Sequence, residues 1–414
     1  MRAGRPPDEA ARAAEAAARR SYGKLVAFLA ARTRDVAGAE DALADAFAAA
    51  LAGWPLGGIP DNPEAWLLTV ARRRMADAVR RRCLDEAAAG HFALLEELAE
   101  PETSDPPLPD RRLELLFACA HPGIDPAARA PLMLQTVLGF DAATIASAFL
   151  VAPAAMGQRL VRAKAKIRLA GIPFQVPGHA ELPQRLDAVL SAIYAAYAEG
   201  WADAAGADSR WRNLAEEAIW LGRLAAALLP REAEALGLLA LMLHSHARRA
   251  ARRDAQGEYV PLAEQDVARW DAVLIEQAEQ ALASAWSLGR PGRYQLEAAI
   301  QSAHCVRHRT GSADWPAIAA LYDALHAMTD SPVAALNGAV ARAELAGPQA
   351  ALHELDALAG DARLADYQPY WAARADLLAR TGAHDAAREA YQRAIGLERD
   401  PVVRRFLQRR AAAL

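Results

Sequence analysis

The chain has 414 residues, with 47 basic and 51 acidic side chains and a formal net charge of −4. That length exceeds one compact core and calls for about two to four domains. The charge balance excludes a uniformly basic nucleic-acid coat, so any contact with nucleic acid must come from local clusters. Alanine is abundant, aromatic residues make up only 6%, and β-branched runs are almost absent, which together favour an all-α fold packed through small side chains.

The opening string MRAGRPPDEAARAAEAAARR is charged throughout and lacks the apolar core of a signal peptide. Amphipathic helices follow over Tyr22 to Ala31 and Ala37 to Trp54, the second opening with Glu40, Asp41 and Asp45. GWPLGGIPDN is a glycine- and proline-rich loop, after which Asp61 and Asn62 can cap a helix whose first turn accepts Pro63. That helix puts Leu67, Val70, Ala71, Met75 and Ala78 on one stripe and carries a basic cluster from Arg72 to Arg82, most of it pointing elsewhere. On its own, such an arginine-rich helix end is more often merely solvated than bound to a nucleic acid.

AEPETSDPPLPD and GIPFQVPGHAELP cannot continue a helix, because proline removes a donor and restrains its predecessor. They read as linkers around a second small domain. There, Gly139 closes a helix, Asp141 caps a short one, and Leu150 and Val151 lead to Pro153, which starts a third. Short helix, brief apolar turn and basic helix is the helix-turn-helix layout. Ile145, Ala146 and Phe149 with Met156, Leu160 and Val161 would form its core. Ala154, Ala155, Gly157, Gln158 and Arg159 are placed to approach base edges, and Arg162, Lys164, Lys166 and Arg168 suit phosphates. The competing reading is a solvated basic face, which the preceding capped helix and turn weigh against.

In the remaining half, Gly311, Gly347 and Gly382 recur at about 35 residues, the period of a two-helix solenoid repeat. Trp371, Ala375, Leu378, Gly382, Ala387, Tyr391 and Ala394 follow the large, small and aromatic order of a tetratricopeptide (TPR) unit. The longest apolar stretch, ALGLLALML, falls short of the roughly 18 residues of a membrane span. Three widely spaced cysteines, Cys83, Cys119 and Cys305, offer no disulfide framework, so a cytoplasmic protein without a membrane partner is expected.

AEDALADAFAAALAGW, PDNPEAWLLTVARRR, DRRLELLFACAHPGIDPAAR and FLVAPAAMGQRLVRAKAKIR resemble, in that order, the second and fourth domains of extracytoplasmic-function RNA polymerase sigma factors. IPFQVPGHAELPQRLDAVLSAIY, EAIWLGRLAAALLP, DWPAIAALYDAL and SPVAALNGAVA resemble one subgroup in which a long TPR-like extension follows. The resemblance implies a region 2 domain over 1–98, a linker over 99–109, a region 4 helix-turn-helix domain over 110–170 and a second linker over 171–183. A helical extension over 184–290 and TPR-like repeats over 291–414 would complete the chain. It implies that Asp41, Asp45 and Phe47 dock on the clamp helices of core RNA polymerase, although an acidic helix start near the dipole's positive end explains Glu40 and Asp41 equally well. The loop from Trp54 to Asp61 and Asn62 would capture a flipped promoter base, with Arg72, Arg73, Arg74 and Arg80 holding the backbone. Trp66 reads as a core anchor before a base wedge. Departures from the family pattern are Ala198 and Trp201 in YAAYAEGW, Gly338 in place of arginine, and Ala120 in place of a second cysteine.

No phosphate loop, GxSxG elbow or HExxH string is present, and the pairs His244 with His246 and His304 with Cys305 lack the further ligands zinc needs. No catalytic residue, metal or cofactor is therefore expected. Glu199 beside Trp201 reads as a helix-end contact. The expected function is promoter selection by a sigma factor, with a regulatory extension that binds a protein partner or its own sigma domains. The alternative is a DNA-binding regulator with a TPR-like domain that does not recruit polymerase.

Overall fold

A computed structural model describes residues 7–85, 110–149, 151–178, 180–202 and 209–414. Among these are nineteen α-helices and a single isolated β-bridge, Arg253 to Tyr259. The chain is all-α. It divides into two compact units, Met1–Glu199 and Gly200–Leu414. No described helix is long and apolar enough to cross a membrane. The 99–109 linker lies outside the described residues.

The first unit opens with α1 (Pro7–Thr33), α2 (Val36–Gly57) and α3 (Pro63–Asp85), each packed on the other two. Helix α1 starts well before Tyr22 because the alanine-rich leader continues the same apolar stripe, burying Ala10, Ala14 and Ala17. Asp35 caps α2 by accepting from the Gly38 amide at 3.0 Å. Helix α2 carries Pro55 in its last turn, so the connecting loop is shorter than the sequence suggests, from Gly58 to Asn62. Asn62 then caps α3 by accepting from the Ala65 amide at 3.1 Å. Leu25, Leu29, Leu43 and Leu67 fill the centre and are fully buried.

Four further helices follow: α4 (Arg112–Cys119), α5 (Pro126–Leu138), α6 (Ala142–Ala148) and α7 (Pro153–Leu169). Asp125 caps α5, and Gly139, at φ 76°, ends it in the left-handed conformation that glycine adopts most cheaply. Asp141 accepts from the Ala143 and Thr144 amides at 2.9 and 2.8 Å, and these bonds hold its carboxyl below the usual range. Helices α4 and α5 pack on α1, and α7 packs on α2. At the closest approach, a Cβ on Gly23 would lie 2.1 Å from the Val137 carbonyl oxygen. Helix α8 (Leu182–Ala202) returns to this unit, where the Arg185 guanidinium donates to the Phe117 carbonyl at 2.9 Å. The first compact unit thus runs past the expected 171–183 linker. A truncation meant to spare the unit belongs after Ala202 rather than after Arg168.

The second unit stacks helices in chain order: α9 (Ser209–Leu228), α10 (Ala233–Ala247), α11 (Ala272–Ser287), α12 (Arg293–Cys305) and the single turn α13 (Arg307–Thr310). Then come α14 (Trp315–Thr329), α15 (Pro332–Ala346), α16 (Pro348–Leu358), α17 (Gln368–Arg380), α18 (His384–Leu397) and α19 (Pro401–Ala412). Gly311, Gly347 and Gly382 all have positive φ, 80°, 86° and 82°, which gives their recurrence in the sequence a backbone cause. Ala375, Ala387, Tyr391 and Ala394 are buried where α17 and α18 meet, small against large. Arg342 ties three helices together, with Nε 2.9 Å from both Glu354 oxygens and Nη1 2.7 Å from Asp323. The side chains of Glu199 and Trp201 lie outside those described.

Burial in this unit sets a pH response. His244 is wholly buried, neither ring nitrogen has a hydrogen-bond partner, and Glu279 Oε1 stands 3.6 Å from Nε2. Burial, helped by Arg248, pushes its pKa down from 6.5 to about 3, and burial takes His304 to about 4. The unfolded chain therefore binds protons that the folded one refuses. The associated stability is intact above pH 6.5 and drains as the pH falls toward those values. Thermal melts should show this unit losing roughly 2 kcal/mol per histidine between about pH 7 and pH 5, with His244→Gln flattening the slope.

Candidate nucleic-acid interface

Helices α6 and α7 stand at the end of a short turn, with Val151 N donating to the Ala146 carbonyl at 2.9 Å. Met156, Leu160, Ala163 and Ile167 form the buried stripe of α7. Val161, expected in the shared core, is instead 64% exposed, since it falls one position beyond that stripe. Ala154, Ala155, Gln158, Arg162 and Lys166 are exposed along the opposite side. Arg159 is half-buried and reaches the Ala127 carbonyl at 3.4 Å.

Lys164 is placed differently from the phosphate contact expected of it. It lies on the side of α7 that meets α2, where its Nζ is 2.7 Å from Glu40 Oε2, both side chains being nearly covered. Burial raises the Glu40 pKa, an effect that Lys164 only partly offsets, and Glu40 Oε1 has no hydrogen-bond partner. Arg168 stands 3.7 Å from Asp35 at the same seam. These cross-links join residues far apart in the chain, and no local pattern could have announced them.

In the first three helices the basic cluster divides by helical phase. Arg72 is 9% exposed, its guanidinium 5.0 Å above the Phe28 ring, because it follows Leu68 by one turn on the inward face. Arg73, Arg74 and Arg80 are exposed. Arg74 lies 3.9 Å from Asp45, and Arg80 bonds Asp77 at 3.1 Å. Trp54 is 2% exposed and meets Trp66 edge to face, centroids 5.5 Å apart, so it anchors the core under the loop. Arg72, Trp54 and Lys164 therefore leave the set of surface contacts. Asp61 and Asn62 are exposed at the loop's end, Asp41 and Asp45 are exposed on α2, and Phe47 is half-buried.

Cys119 is buried beside Thr136 and its thiol is pushed up to about 12, which makes it a packing residue rather than a reactive one.

Residues 18–83 match the Sigma-70 region 2 family, and residues 185–286 match a family of unknown function, DUF6596. The first three helices thus form the domain of a sigma-70 family factor. An uncharacterized protein of Rhizobium meliloti (strain 1021) is 40% identical over 368 residues, which cover 87% of this chain and 86% of that one. The chain belongs to one family with it. No solved structure matches.

Proposed function

We propose that the chain is an RNA polymerase sigma factor of the extracytoplasmic-function type, cytoplasmic and without enzymatic activity. In this reading it brings core polymerase to promoters through two DNA-binding domains. The observation that carries it is the exposed face of Arg73, Arg74 and Arg80 inside the segment that matches Sigma-70 region 2. That face holds promoter backbone, and the loop from Gly58 to Asn62 receives a base flipped from the melted strand. Asp41, Asp45 and Phe47 meet the clamp helices of core polymerase. Helices α6 and α7 act as a helix-turn-helix at a second promoter element. The repeats of the second unit form a TPR-like scaffold of regulatory role, whose protein partner is another chain or the sigma domains themselves.

On α7, Gln158 and Arg159 read base edges, while Arg162 and Lys166 neutralise phosphates. Arg162→Ala should weaken binding alike on all sequences and lower the salt slope by about one. Arg159→Ala should instead change base preference at one position by about 1 to 3 kcal/mol. Equal effects of both on every sequence, measured by salt-dependent binding to a randomised promoter library, would remove this division of labour.

Recruitment of polymerase separates this reading from a DNA-binding regulator that works alone. The full chain should co-purify with core polymerase through the β′ subunit, and Asp45→Arg should abolish the complex while leaving the melting temperature unchanged. A chain that binds DNA but never core polymerase supports the rival.

A further inference from the structure

Helix α7 has three kinds of side. Met156, Leu160, Ala163 and Ile167 take its back into the core, while Gln158, Arg162 and Lys166 face outward. Lys164 and Arg168, one turn apart, form a row on the flank between the two. When a helix lies in the major groove, long cations on its flank are the ones that meet the phosphates along the groove's edge.

Helix α2 packs on that flank. Lys164 Nζ is 2.7 Å from Glu40 Oε2, with side chains 13% and 11% exposed, and Arg168 Nη1 is 3.7 Å from Asp35 Oδ2. Two carboxylates therefore stand where a duplex would bring phosphates, so they occupy the cations and repel the nucleic acid as well. The pairing follows the flank rather than the charge of the helix. Among the described residues, Arg159, Arg162 and Lys166 on the same helix have no carboxylate partner.

An ion pair as covered as that of Glu40 and Lys164 adds little net stability, since the cost of taking both charges from water offsets their attraction. Glu40 Oε1 is buried and has no hydrogen-bond partner, and burial raises the Glu40 pKa. The contact is thus exchangeable. A phosphate in place of Glu40 would serve the Lys164 ammonium equally well.

We propose that the contact between α2 and α7 is autoinhibitory: α2 masks one flank of the recognition helix, and α7 engages duplex DNA with its full set of cations only after α2 has moved off it. Lys164 then has two partners in turn, Glu40 in the closed chain and a phosphate in the open one. This deepens the function proposed above and rests on α7 being a recognition helix.

The full chain and its variants are titrated into a short fluorescent duplex of arbitrary sequence between about 50 and 200 mM salt, without polymerase. Glu40→Gln keeps the size of the side chain and removes its charge. It should tighten binding at the low-salt end and steepen the slope of log affinity against log salt by about one, the share of one further phosphate contact. Adding Lys164→Gln to Glu40→Gln should take that gain away. Asp187→Asn removes an equal charge from an exposed site on α8 and should change neither quantity. Circular dichroism should show the parent helix content in each variant; were Glu40→Gln to lose it, Glu40→Met, which fills the same space, takes its place.

An unchanged slope in the Glu40 variant overturns the proposal. So does an equal gain in Asp187→Asn, which would be an effect of net charge, or a gain that survives the loss of Lys164. Arg162→Ala separates this failure from that of the reading beneath it. If Arg162→Ala leaves binding unchanged, α7 is not on the DNA and both fall; if it weakens binding while the Glu40 variant changes nothing, the autoinhibitory contact alone fails.

Discussion

Gly23→Ala should destabilise the first unit by about 2 to 4 kcal/mol, although glycine to alanine inside a helix ordinarily stabilises. The reason is the seam between α1 and α5. The new methyl carbon would lie 2.1 Å from the Val137 oxygen, 2.9 Å from its carbonyl carbon and 3.0 Å from its Cα. All three are backbone atoms, so no rotamer change relieves the clash, and the two helices must separate. Tyr22, one residue earlier, packs where a side chain on Gly139 would stand, 3.1 Å from its Cδ1, so the seam has no slack there either. Gly53→Ala in α2 is the matched control, since nothing lies within 4 Å of the added carbon. It should be neutral or stabilising by up to about 1 kcal/mol. Equal melting temperatures for the two variants would mean that α1 and α5 do not pack as described.

Glu234→Ala should cost the second unit about 2 to 4 kcal/mol, because one carboxylate from α10 caps the start of α12. Its Oε2 accepts from the Tyr294 amide at 2.9 Å, and its Oε1 accepts from the Gln295 amide at 3.2 Å and from Gln295 Nε2 at 3.1 Å. Tyr294 and Gln295 are buried, so their orphaned donors could not turn to water. Glycine at 292 makes room for this, since a Cβ there would stand 2.3 Å from the Glu234 carboxyl carbon. Glu234→Gln keeps one acceptor and should lose about half as much, which denaturant unfolding of the two variants will resolve. A silent Glu234→Ala would contradict the cap.

The helices were legible in the sequence wherever their ends are chemical. Asn62 before Pro63, Asp141 after Gly139, and Pro153 each mark a boundary through groups that act within one turn. The positive φ of Gly311, Gly347 and Gly382 likewise follows from their own spacing. Side-chain destinations set across the chain were not legible. Arg72 and Arg73 are equivalent in composition, and only the packing of α3 on α1 turns the first onto Phe28 and the second outward. Lys164 reads as one more cation on a basic helix until α2 brings Glu40 to it across 124 positions. Arg185 falls beside a proline-rich linker, yet the Phe117 carbonyl fixes it to the first unit.

The most direct test of the sigma-factor assignment is transcription in vitro. Purified core polymerase, free of other sigma factors, is mixed with the full chain and a genomic promoter library. The account predicts transcripts with fixed start sites from a defined subset of promoters, lost with Asp45→Arg and with combined replacement of Arg73, Arg74 and Arg80 by alanine. Failure of the added chain to yield promoter-dependent initiation anywhere in the library would contradict it.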